Sequence, residues 1–381
     1  MAGSRADRSR AADATAGMGV RRSGRAMGSK GKLMRRVRSS LRRKVRGRRK
    51  RRSTHRSRTA GLRSTAVAGS RRGAGSPLRT PHPQPLAWCR ALALGGGASH
   101  NTRPVTRALL ALDMDGTLLR ADGTVDPRDA AAITRAMNAG IAVTIATGRV
   151  STGTLPTARS LGLQHPLVCG DGGILVDAVT GERIEQTAIA LHTATDVIAA
   201  FEEHALVPFV LMHDTIHADA RGQHYTDYVR VWTDRVHVHE HLAHAPAWKR
   251  DGEIALTVGI GSQDGVQRAH ARLESAHPER LDVVSFKANR LRETWAILTR
   301  PFGCTKGTAL ARVAERLGIR HEDTCVVGDW FNDIPMFTWA KRSFAMGQAP
   351  DAVRRHATDS LGATAQTGGG VAEAIHRWLG V

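Results

Sequence analysis

The sequence predicts an α/β protein that is built on a parallel sheet and preceded by a long basic extension. Three observations lead to this prediction. From residue 106 onward, short apolar runs alternate with amphipathic stretches, and polar residues directly follow several of these runs. The excess positive charge, by contrast, is confined to the first quarter of the chain. Short buried strands that alternate with helices are typical of parallel sheets with right-handed crossovers.

Residues 1–105 are the basic extension. Of the 56 Lys and Arg residues, 29 lie in residues 1–107, together with two of the 34 acidic residues, which leaves the rest of the chain with a net charge of −5. Runs such as RRVRSSLRRKVRGRRKRR have few aliphatic positions and no periodicity, so they cannot bury enough apolar surface to offset chain ordering. We therefore expect this extension to be disordered.

Four interpretations of the extension stay open. It has the charge of an arm for weak, non-specific binding to nucleic acid or to an anionic membrane surface, because Lys and Arg release counterions near phosphates. Its Arg-rich, Ser-rich and acid-poor composition is also typical of an organellar transit peptide. It is equally compatible with an inert tail or with an upstream stretch wrongly joined to the true start. No aromatic side chains interrupt the basic run, which argues against single-strand binding.

The first part of the folded region, residues 106–188, alternates strands and helices in the order of a Rossmann-like core. Each helix lies between two buried strands, and this order implies a parallel sheet. Proline at the start and glycine at the end mark the first helix. The predicted elements are the strand RALLALD (107–113), the helix PRDAAAITRAMNAG (127–140), the strand IAVTIAT (141–147), a helix over about 152–162, and the strand PLVCG (166–170).

The last part of the chain, residues 297–381, returns to the same alternation. KGTALARVAERLG (306–318) predicts a helix, and TCVVGD (324–329) and SFAMG (343–347) predict two strands. We therefore expect these residues to complete the sheet that the first part begins.

Residues 189–296 lie between these two parts and have a pattern of their own. A helix is predicted near 193–205, with strands at PFVLMH (208–213) and within EIALTVGIG (253–261). Because the first sheet resumes only after this stretch, we expect it to be a second α/β domain inserted into the first.

Polar residues follow four of the predicted strands of the first domain. In open α/β sheets, ligands bind at the edge formed by the carboxyl ends of the strands. Clustered carboxylates repel each other unless a hard cation neutralises them, and Mg²⁺ prefers oxygen ligands. Two carboxylates in different environments can also divide nucleophilic attack and proton transfer between them. The residues at this edge are Asp113 and Asp115, Thr147 and Gly148, Gly170 and Asp171, and Asp329 and Asp333.

Four short motifs resemble those of the haloacid dehalogenase (HAD) superfamily, in the usual order. They are DMDGTLL (113–119), ATGR (146–149), TKG (305–307) and GDWFNDIPM (328–336). The large insertion between the second and third motifs resembles a C2-type cap, and the passages AMGQAPDAVRRHATDS and GGGVAEAI are similar to the Cof-type (subfamily IIB) phosphatases. The resemblance covers about residues 106–381. It implies a HAD-like core with an inserted cap.

The resemblance implies a role for each matching residue. Asp113 would attack phosphorus to give an aspartyl-phosphate, and Asp115 would protonate the leaving oxygen and then activate water. Thr147 would hydrogen-bond the phosphoryl group, and Lys306 would balance its charge and orient Asp113. Aspartate at both 113 and 115 resembles the phosphatases and mutases of the superfamily rather than the dehalogenases.

The resemblance also implies a Mg²⁺ site and substrate contacts. Mg²⁺ would be held by the Asp113 carboxylate, the Asp115 backbone carbonyl and Asp329, with Asp333 as a ligand or close by. Asn332 would orient one of these carboxylates or cap the following helix. Arg149 would contact substrate or be a surface charge. The expected substrate-binding residues are Thr147, Gly148, Arg149, Lys306 and Asn332.

The sequence therefore predicts a Mg²⁺-dependent phosphatase for a small phosphorylated metabolite resembling a sugar phosphate. A phosphomutase with the same aspartyl-phosphate and a nucleic-acid-associated protein that acts through its basic arm are the alternatives. Three departures from the Cof-type pattern bear on substrate choice: Asp171 and Gln348 replace asparagines, and Trp330 stands where small residues are common. An added carboxylate at 171 would repel an anionic substrate or bind a sugar hydroxyl.

Two further observations concern other sites and the location of the protein. No stretch approaches the roughly 20 apolar residues that span a bilayer, and the four cysteines are widely spaced, so we expect a cytoplasmic protein without a transmembrane segment. HVHEH (237–241) is a weak candidate for a metal site, because alternate residues of a strand share one face. The insertion is rich in histidine, including His213, His217, His224, His237, His239, His241 and His244.

Overall fold

A computed structural model of the chain describes residues 106–288 and 293–380. The predictions made for the basic extension, residues 1–105, lie outside these described residues. No helix among the described residues combines the length and the apolar character that crossing a bilayer requires.

The strands of the described residues form three sheets. In chain order they are β1 (Ala108–Leu112), β2 (Ile141–Ile145), β3 (Leu167–Cys169), β4 (Ile174–Val176), β5 (Arg183–Gln186), β6 (Val207–Leu211), β7 (Ile216–Asp219), β8 (Val236–His239), β9 (Leu256–Gly261), β10 (Leu281–Lys287), β11 (Trp295–Pro301), β12 (Thr324–Gly328), β13 (Arg342–Ala345) and β14 (Asp359–Ser360).

Some of the helices begin at a residue whose side chain caps them. Asp126 accepts a hydrogen bond from the Arg128 N–H at the start of the first helix, and Thr305 accepts one from the Thr308 N–H at the start of the sixth. The described helices are α1 (Pro127–Asn138), α2 (Ser151–Ser160), α3 (Leu191–Glu203), α4 (Thr226–Val229), α5 (Gln263–Ala276), α6 (Lys306–Leu317), α7 (Ile334–Trp339), α8 (Asp351–Arg354) and α9 (Gly370–Leu379).

The core sheet has five parallel strands in the order β14-β13-β12-β1-β2. This arrangement confirms the predicted parallel sheet and places the carboxyl ends of β1, β2 and β12 side by side. The third predicted strand differs from expectation. β3 meets the core sheet only through a parallel bridge between Ala146 and Val168, and its main partner is the antiparallel strand β4. A tight turn at Gly170–Gly172 reverses the chain directly after β3 and so produces this hairpin.

Helices cover both faces of the core sheet, which explains why its strands read as continuous apolar runs. On one face Leu110 packs in a cluster with Ile133 of α1 and Trp378 of α9. On the other face Leu109 packs in a cluster with Leu310 of α6 and residues of α7. Each fully buried leucine of this kind stabilises the fold by roughly 1.5–3 kcal/mol.

The inserted region contains a six-stranded sheet in the order β10-β11-β9-β6-β7-β8. All neighbouring strands in it are antiparallel except β7 and β8, which are parallel. One face packs against α3 and α5 in a cluster that includes Phe201 and Leu273. The other face carries the buried side chains of Leu211 and Val258. The prediction of a second α/β unit inserted into the first is confirmed, and this unit is called the cap below.

The last strand of the cap sheet runs past the predicted domain boundary. β11 continues from Trp295 to Pro301, whereas the boundary was placed after residue 296. Pairing with β9 and β10 holds this strand in the cap sheet, so its final residues approach the core while still hydrogen-bonded to the cap.

Candidate active site

Backbone pairing holds the two acidic residues that follow β1. The Asp113 N–H donates to the Val327 carbonyl of β12 at 2.9 Å, so the chain leaves the sheet beside the strand that ends before Asp329. Gly116 then turns with a φ of +88°, and a Cβ atom at this position would clash with the Asp329 carboxylate. Glycine is therefore required here, because only it combines this φ with so close an approach.

A buried lysine joins two carboxylates beneath the edge of the core sheet. Lys306 Nζ lies 2.6 Å from Asp113 Oδ1 and 2.7 Å from Asp333 Oδ1, and the lysine side chain is fully buried. The second oxygen of Asp333 accepts hydrogen bonds from the backbone N–H groups of Asp329 and Trp330. Asp333 thus fixes both the lysine and the loop that carries Asp329.

The pKa values of this cluster reflect its burial and its crowding. Burial, followed by the charge of Asp333, raises the pKa of Asp113 well above its ordinary value. Burial and the charge of Asp333 likewise raise the pKa of Asp329 to about 7. Burial alone would lower the pKa of Lys306, but the carboxylates of Asp113 and Asp333 outweigh it and raise that pKa. The carboxylates therefore outnumber the one positive charge that lies among them.

This excess of carboxylates fits a hard divalent cation. Oxygen atoms of Asp113, Asp329 and Asp333 lie within 4.8 Å of one another, the one group of three or more such ligands among the described residues. Gln348 donates to Asp329 Oδ2 at 3.2 Å and to the Gly116 carbonyl at 2.5 Å, which orients the Asp329 carboxylate. Oxygen ligands with surplus negative charge are what Mg²⁺ requires.

The second acidic residue of the first motif faces a different partner. Asp115 accepts two hydrogen bonds from Arg149, at 2.6 Å from Nη2 and 2.8 Å from Nε. Its carboxylate is about one-third exposed and does not belong to the group of three carboxylates. The two aspartates of the DMD motif are thus in different environments, one beside a buried lysine and the other beside an arginine at the surface of the cavity.

The loop after β2 is tied to the loop after β3. The Asp171 N–H donates to the Thr147 carbonyl, and the Gly170 N–H donates to the Arg149 carbonyl. The hydroxyl of Thr147 is buried and accepts a hydrogen bond from the Arg149 N–H. These bonds bring the polar residues of two strand ends to the same edge, as the sequence predicted.

A cavity of about 190 Å³ opens over this edge and separates it from the cap. The core contributes mostly polar residues, whereas the cap contributes mostly apolar ones. The core residues that line it are Asp113, Asp115, Thr147, Gly148, Arg149, Asp171, Trp330, Phe331 and Asn332, and the cap residues are Leu211, Tyr228, Trp232, Leu256, Val258, Val284, Phe286, Leu298 and Arg300.

The predicted site residues divide between the cavity and the layer beneath it. Lys306 and Asp333 are fully buried and do not line the cavity of 190 Å³, and Lys306 reaches it only through its contact with Asp113. Asp329 lines a neighbouring cavity of about 230 Å³. The structure therefore brings all the predicted residues to one edge, while it places Lys306 behind Asp113 rather than at the cavity surface.

An arginine that the sequence did not single out pairs with Asp171. Arg300 of β11 donates to Asp171 Oδ2, and both side chains are buried. Asn332 donates to the other oxygen of Asp171 at 2.9 Å, so the amide orients this residue rather than Asp329 or Asp333. The carboxylate at 171 is neutralised, and repulsion of an anionic substrate is not expected. No sequence signal marked Arg300, because it lies 129 residues from its partner.

The histidines of the cap form stacked pairs rather than a three-ligand site. His217 Nδ1 lies 2.9 Å from His239 Nε2, and the His217 ring stacks on His237 and His239 with centroids 5.2 Å apart. Burial, followed by the proximity of His239 and His237, lowers the pKa of His217 to about 4. Within the described residues only the three carboxylates bring three ligands together, so the HVHEH metal site receives no support.

The chain is similar to a family of hydrolases and to individual phosphatases. A family model for haloacid dehalogenase-like hydrolases matches residues 110–375. The chain is 28% identical over 277 residues to the 5-amino-6-(5-phospho-D-ribitylamino)uracil phosphatase YcsE of Bacillus subtilis (strain 168), covering 71% of this chain and 95% of that protein. It is 26% identical over 273 residues to the pyridoxal phosphate phosphatase YbhA of Escherichia coli (strain K12), covering 68% and 94%.

Solved structures share the fold at lower sequence identity. A haloacid dehalogenase-like hydrolase from B. subtilis superposes with a TM-score of 0.61 at 22% identity, covering 70% of this chain and 98% of that one. The HAD subclass IIB sugar phosphatase BT4131 superposes with a TM-score of 0.57 at 19% identity, covering 71% and 98%. These likenesses establish the shared core and cap architecture.

Proposed function

Because this chain belongs to the haloacid dehalogenase-like hydrolase family and is a phosphatase of that family, we propose that it hydrolyses a small phosphorylated metabolite through an aspartyl-phosphate formed on Asp113. The observation that carries this proposal is the buried ion pair between Lys306 and Asp113 at the polar end of the cavity. It holds one oxygen of a cavity-lining carboxylate and leaves the other to react.

The first step is attack by Asp113 on the phosphorus of the ester. Lys306 holds Oδ1 of Asp113, so Oδ2 forms the new bond to phosphorus while the bond from phosphorus to the ester oxygen breaks. Asp115 gives its proton to the departing oxygen, and an alcohol leaves. Water then attacks the phosphorus and gives a proton to Asp115, while the bond from phosphorus to Oδ2 of Asp113 breaks; inorganic phosphate leaves and Asp113 is restored.

Arg149 has two anionic partners in this scheme. In the structure its guanidinium binds the Asp115 carboxylate with two hydrogen bonds, and both residues line the cavity. A phosphoryl group that enters the cavity competes for the same guanidinium. Binding of substrate thereby frees Asp115 to hold the proton that it must donate. Thr147 and Gly148 also line the cavity, and the Thr147 hydroxyl and the backbone at Gly148 would contact the phosphoryl oxygens.

The carboxylate cluster is suited to bind Mg²⁺ during this reaction. Asp113 and Asp329 would hold the ion, with the Asp115 carbonyl as a further oxygen ligand and Asp333 nearby. Bound Mg²⁺ neutralises negative charge on the transferring phosphoryl group. The raised pKa values of Asp113 and Asp329 support this proposal, because they indicate that Lys306 alone does not compensate the negative charge of the carboxylates.

Phosphate release by the full chain tests this proposal. With Mg²⁺ present we expect release from a panel of phosphate monoesters, loss of release with EDTA, and a fall of about 10⁴-fold or more in kcat for Asp113→Asn. Asp129→Asn is the matched control, because Asp129 is equally buried but caps α9 outside the cavity. Activity that survives in Asp113→Asn would exclude this nucleophile, and transfer of phosphate between positions without release would indicate a mutase.

A further inference from the structure

Gln348, which stands where the Cof-type pattern has asparagine, lies against the carboxylate cluster. Its Nε2 donates to the Gly116 carbonyl at 2.5 Å and to Asp329 Oδ2 at 3.2 Å. Its Oε1 accepts a hydrogen bond from the Ala365 N–H at 3.1 Å. One side-chain amide therefore joins the turn after β1, the loop that carries Asp329 and the loop before α9.

The chemistry of its partners fixes the orientation of this amide. The Gly116 carbonyl and the Asp329 carboxylate are acceptors, whereas the Ala365 N–H is a donor. Only an amide that directs its nitrogen towards the two acceptors and its oxygen towards the donor satisfies all three. Asp329 Oδ2 also lies so close to Gly116 that a Cβ atom there would clash with it. This oxygen of Asp329 is therefore held by its surroundings.

The other carboxylates of the cluster have few oxygens to spare. Asp333 binds Lys306 through Oδ1 and two backbone N–H groups through Oδ2, so both of its oxygens are occupied. Asp113 Oδ1 also binds Lys306. Among the described residues, Asp329 Oδ1 has only the Thr117 hydroxyl nearby, at 3.5 Å, which is longer than an ordinary O–H···O hydrogen bond. Asp329 Oδ1 is therefore the oxygen of this residue that is available to a cation.

Divalent cations differ in how they use carboxylate oxygens. Mg²⁺ is bound by few protein oxygens and keeps several waters, whereas Ca²⁺ takes roughly 6–8 oxygen ligands and often binds both oxygens of one carboxylate. A cluster with so few spare oxygens fits the ion that keeps its waters. On the premise of the Mg²⁺ site proposed above, we propose that Gln348 is a positioning residue that restricts Asp329 to one metal-binding oxygen and thereby favours Mg²⁺ over Ca²⁺.

Gln348 acts on the arrangement of the oxygens and not on the charge of the site. Because glutamine is neutral, its replacement by methionine leaves the number of charges around the cation unchanged. Without the amide, Asp329 Oδ2 loses its side-chain donor, and the carboxylate is free to offer both oxygens to one ion. A change in preference between two cations of equal charge therefore reports the geometry of Asp329.

Equilibrium binding of MgCl₂ and CaCl₂ to the full chain tests this inference without turnover. The rise in the midpoint of urea unfolding with cation concentration gives each Kd, because a cation that binds only the folded state stabilises it. For Gln348→Met, which has a similar shape and no donor, we expect the Kd for Mg²⁺ to rise about tenfold. The Kd for Ca²⁺ should change by less than about twofold or fall. The preference for Mg²⁺ should therefore drop about tenfold.

Gln164→Met is the matched control. Gln164 is exposed, as Gln348 is, and its Nε2 also donates to a backbone carbonyl, that of Gly162 at 3.1 Å. It lines neither the cavity of 190 Å³ nor that of 230 Å³, so both Kd values should stay unchanged in this variant.

The outcomes separate this inference from the proposed function. An equal loss of affinity for both cations in Gln348→Met would overturn the inference, because Gln348 would then only hold the loops together. Unchanged Kd values would overturn it as well, and in both cases Mg²⁺-dependent phosphate release would leave the phosphatase intact. If neither cation stabilised the unaltered chain, the inference and the Mg²⁺ site would fail together. The expected change in preference without phosphate release from any ester would overturn the phosphatase alone.

Discussion

The core wall and the cap wall of the same cavity are held in place by different forces. On the core side, charged side chains are fixed by short ion pairs and backbone hydrogen bonds, such as those of Asp113 with Lys306 and of Asp115 with Arg149. On the cap side, apolar side chains from β6, β9, β10 and β11 are fixed by packing alone. A substitution in the core wall is costly when it leaves a buried charge unpaired. An apolar wall, by contrast, tolerates replacement of one side chain by another of similar volume. From this difference we infer that the residues of the core wall perform the reaction and that those of the cap wall select the substrate.

The strongest test of this contrast is removal of the buried cation of the core wall. Lys306→Met leaves Asp113 and Asp333 as uncompensated buried carboxylates, so we expect a loss of about 3–5 kcal/mol in the free energy of unfolding. We also expect kcat to fall about 10²- to 10³-fold, because a charge at the reacting centre is lost. Urea unfolding and phosphate release measure the two effects. Lys341→Met, at an exposed lysine, is the control and should change neither.

The pH dependence of the Lys306→Met variant sharpens this test. Without the lysine, Asp113 keeps a folded-state pKa above its unfolded value of about 4, because burial and Asp333 both raise it. The folded state then binds more protons than the unfolded state in this range, so the variant loses stability as pH rises and recovers it as pH falls. A destabilisation that is the same at pH 4 and pH 8 would mean that uncompensated charge is not its cause.

The next largest effect is expected for the ion pair between Arg300 of the cap wall and Asp171 of the core wall. Arg300→Met leaves Asp171 buried with only Asn332 as a side-chain partner, and we expect a loss of about 3 kcal/mol. The double variant Arg300→Met with Asp171→Asn removes both charges and should regain about 1–3 kcal/mol of this loss. Additive effects in the double-mutant cycle would show that the core and cap walls are not coupled through this pair.

The contrast also explains how far the sequence alone could predict the site. Asp113, Asp329 and Lys306 could be predicted because each lies in a short motif directly at the end of a strand or the start of a helix. The partner of Asp171 could not, because Arg300 depends on the register of β11 against β9 and β10. The same holds for Tyr228, which lies on the four-residue helix α4, too short to leave a periodic signal.

The core sheet was more predictable than the cap for a related reason. Its strands are buried on both faces and read as apolar runs, so β1, β2 and β12 could be recognised from composition alone. In the cap, β8 has two exposed residues and overlaps HVHEH (237–241), which was a candidate metal site because alternate residues of a strand share one face. The structure instead pairs this strand in parallel with β7. Tertiary pairing, which local patterns do not encode, decided that region.

The smallest predicted effect concerns the histidines of the cap, which should affect stability without affecting chemistry. The folded-state pKa of His217, about 4, lies below the unfolded value of about 6.5, so between these pH values the unfolded state binds more protons. Stability should therefore be constant above about pH 6.5 and fall as the pH drops towards 4. His217→Gln should flatten this fall in urea unfolding, and His192→Gln, at an exposed histidine, should not. None of the stacked histidines lines the cavity, so His217→Gln should leave kcat at neutral pH unchanged. A change in kcat would contradict the inference that only the core wall performs the reaction.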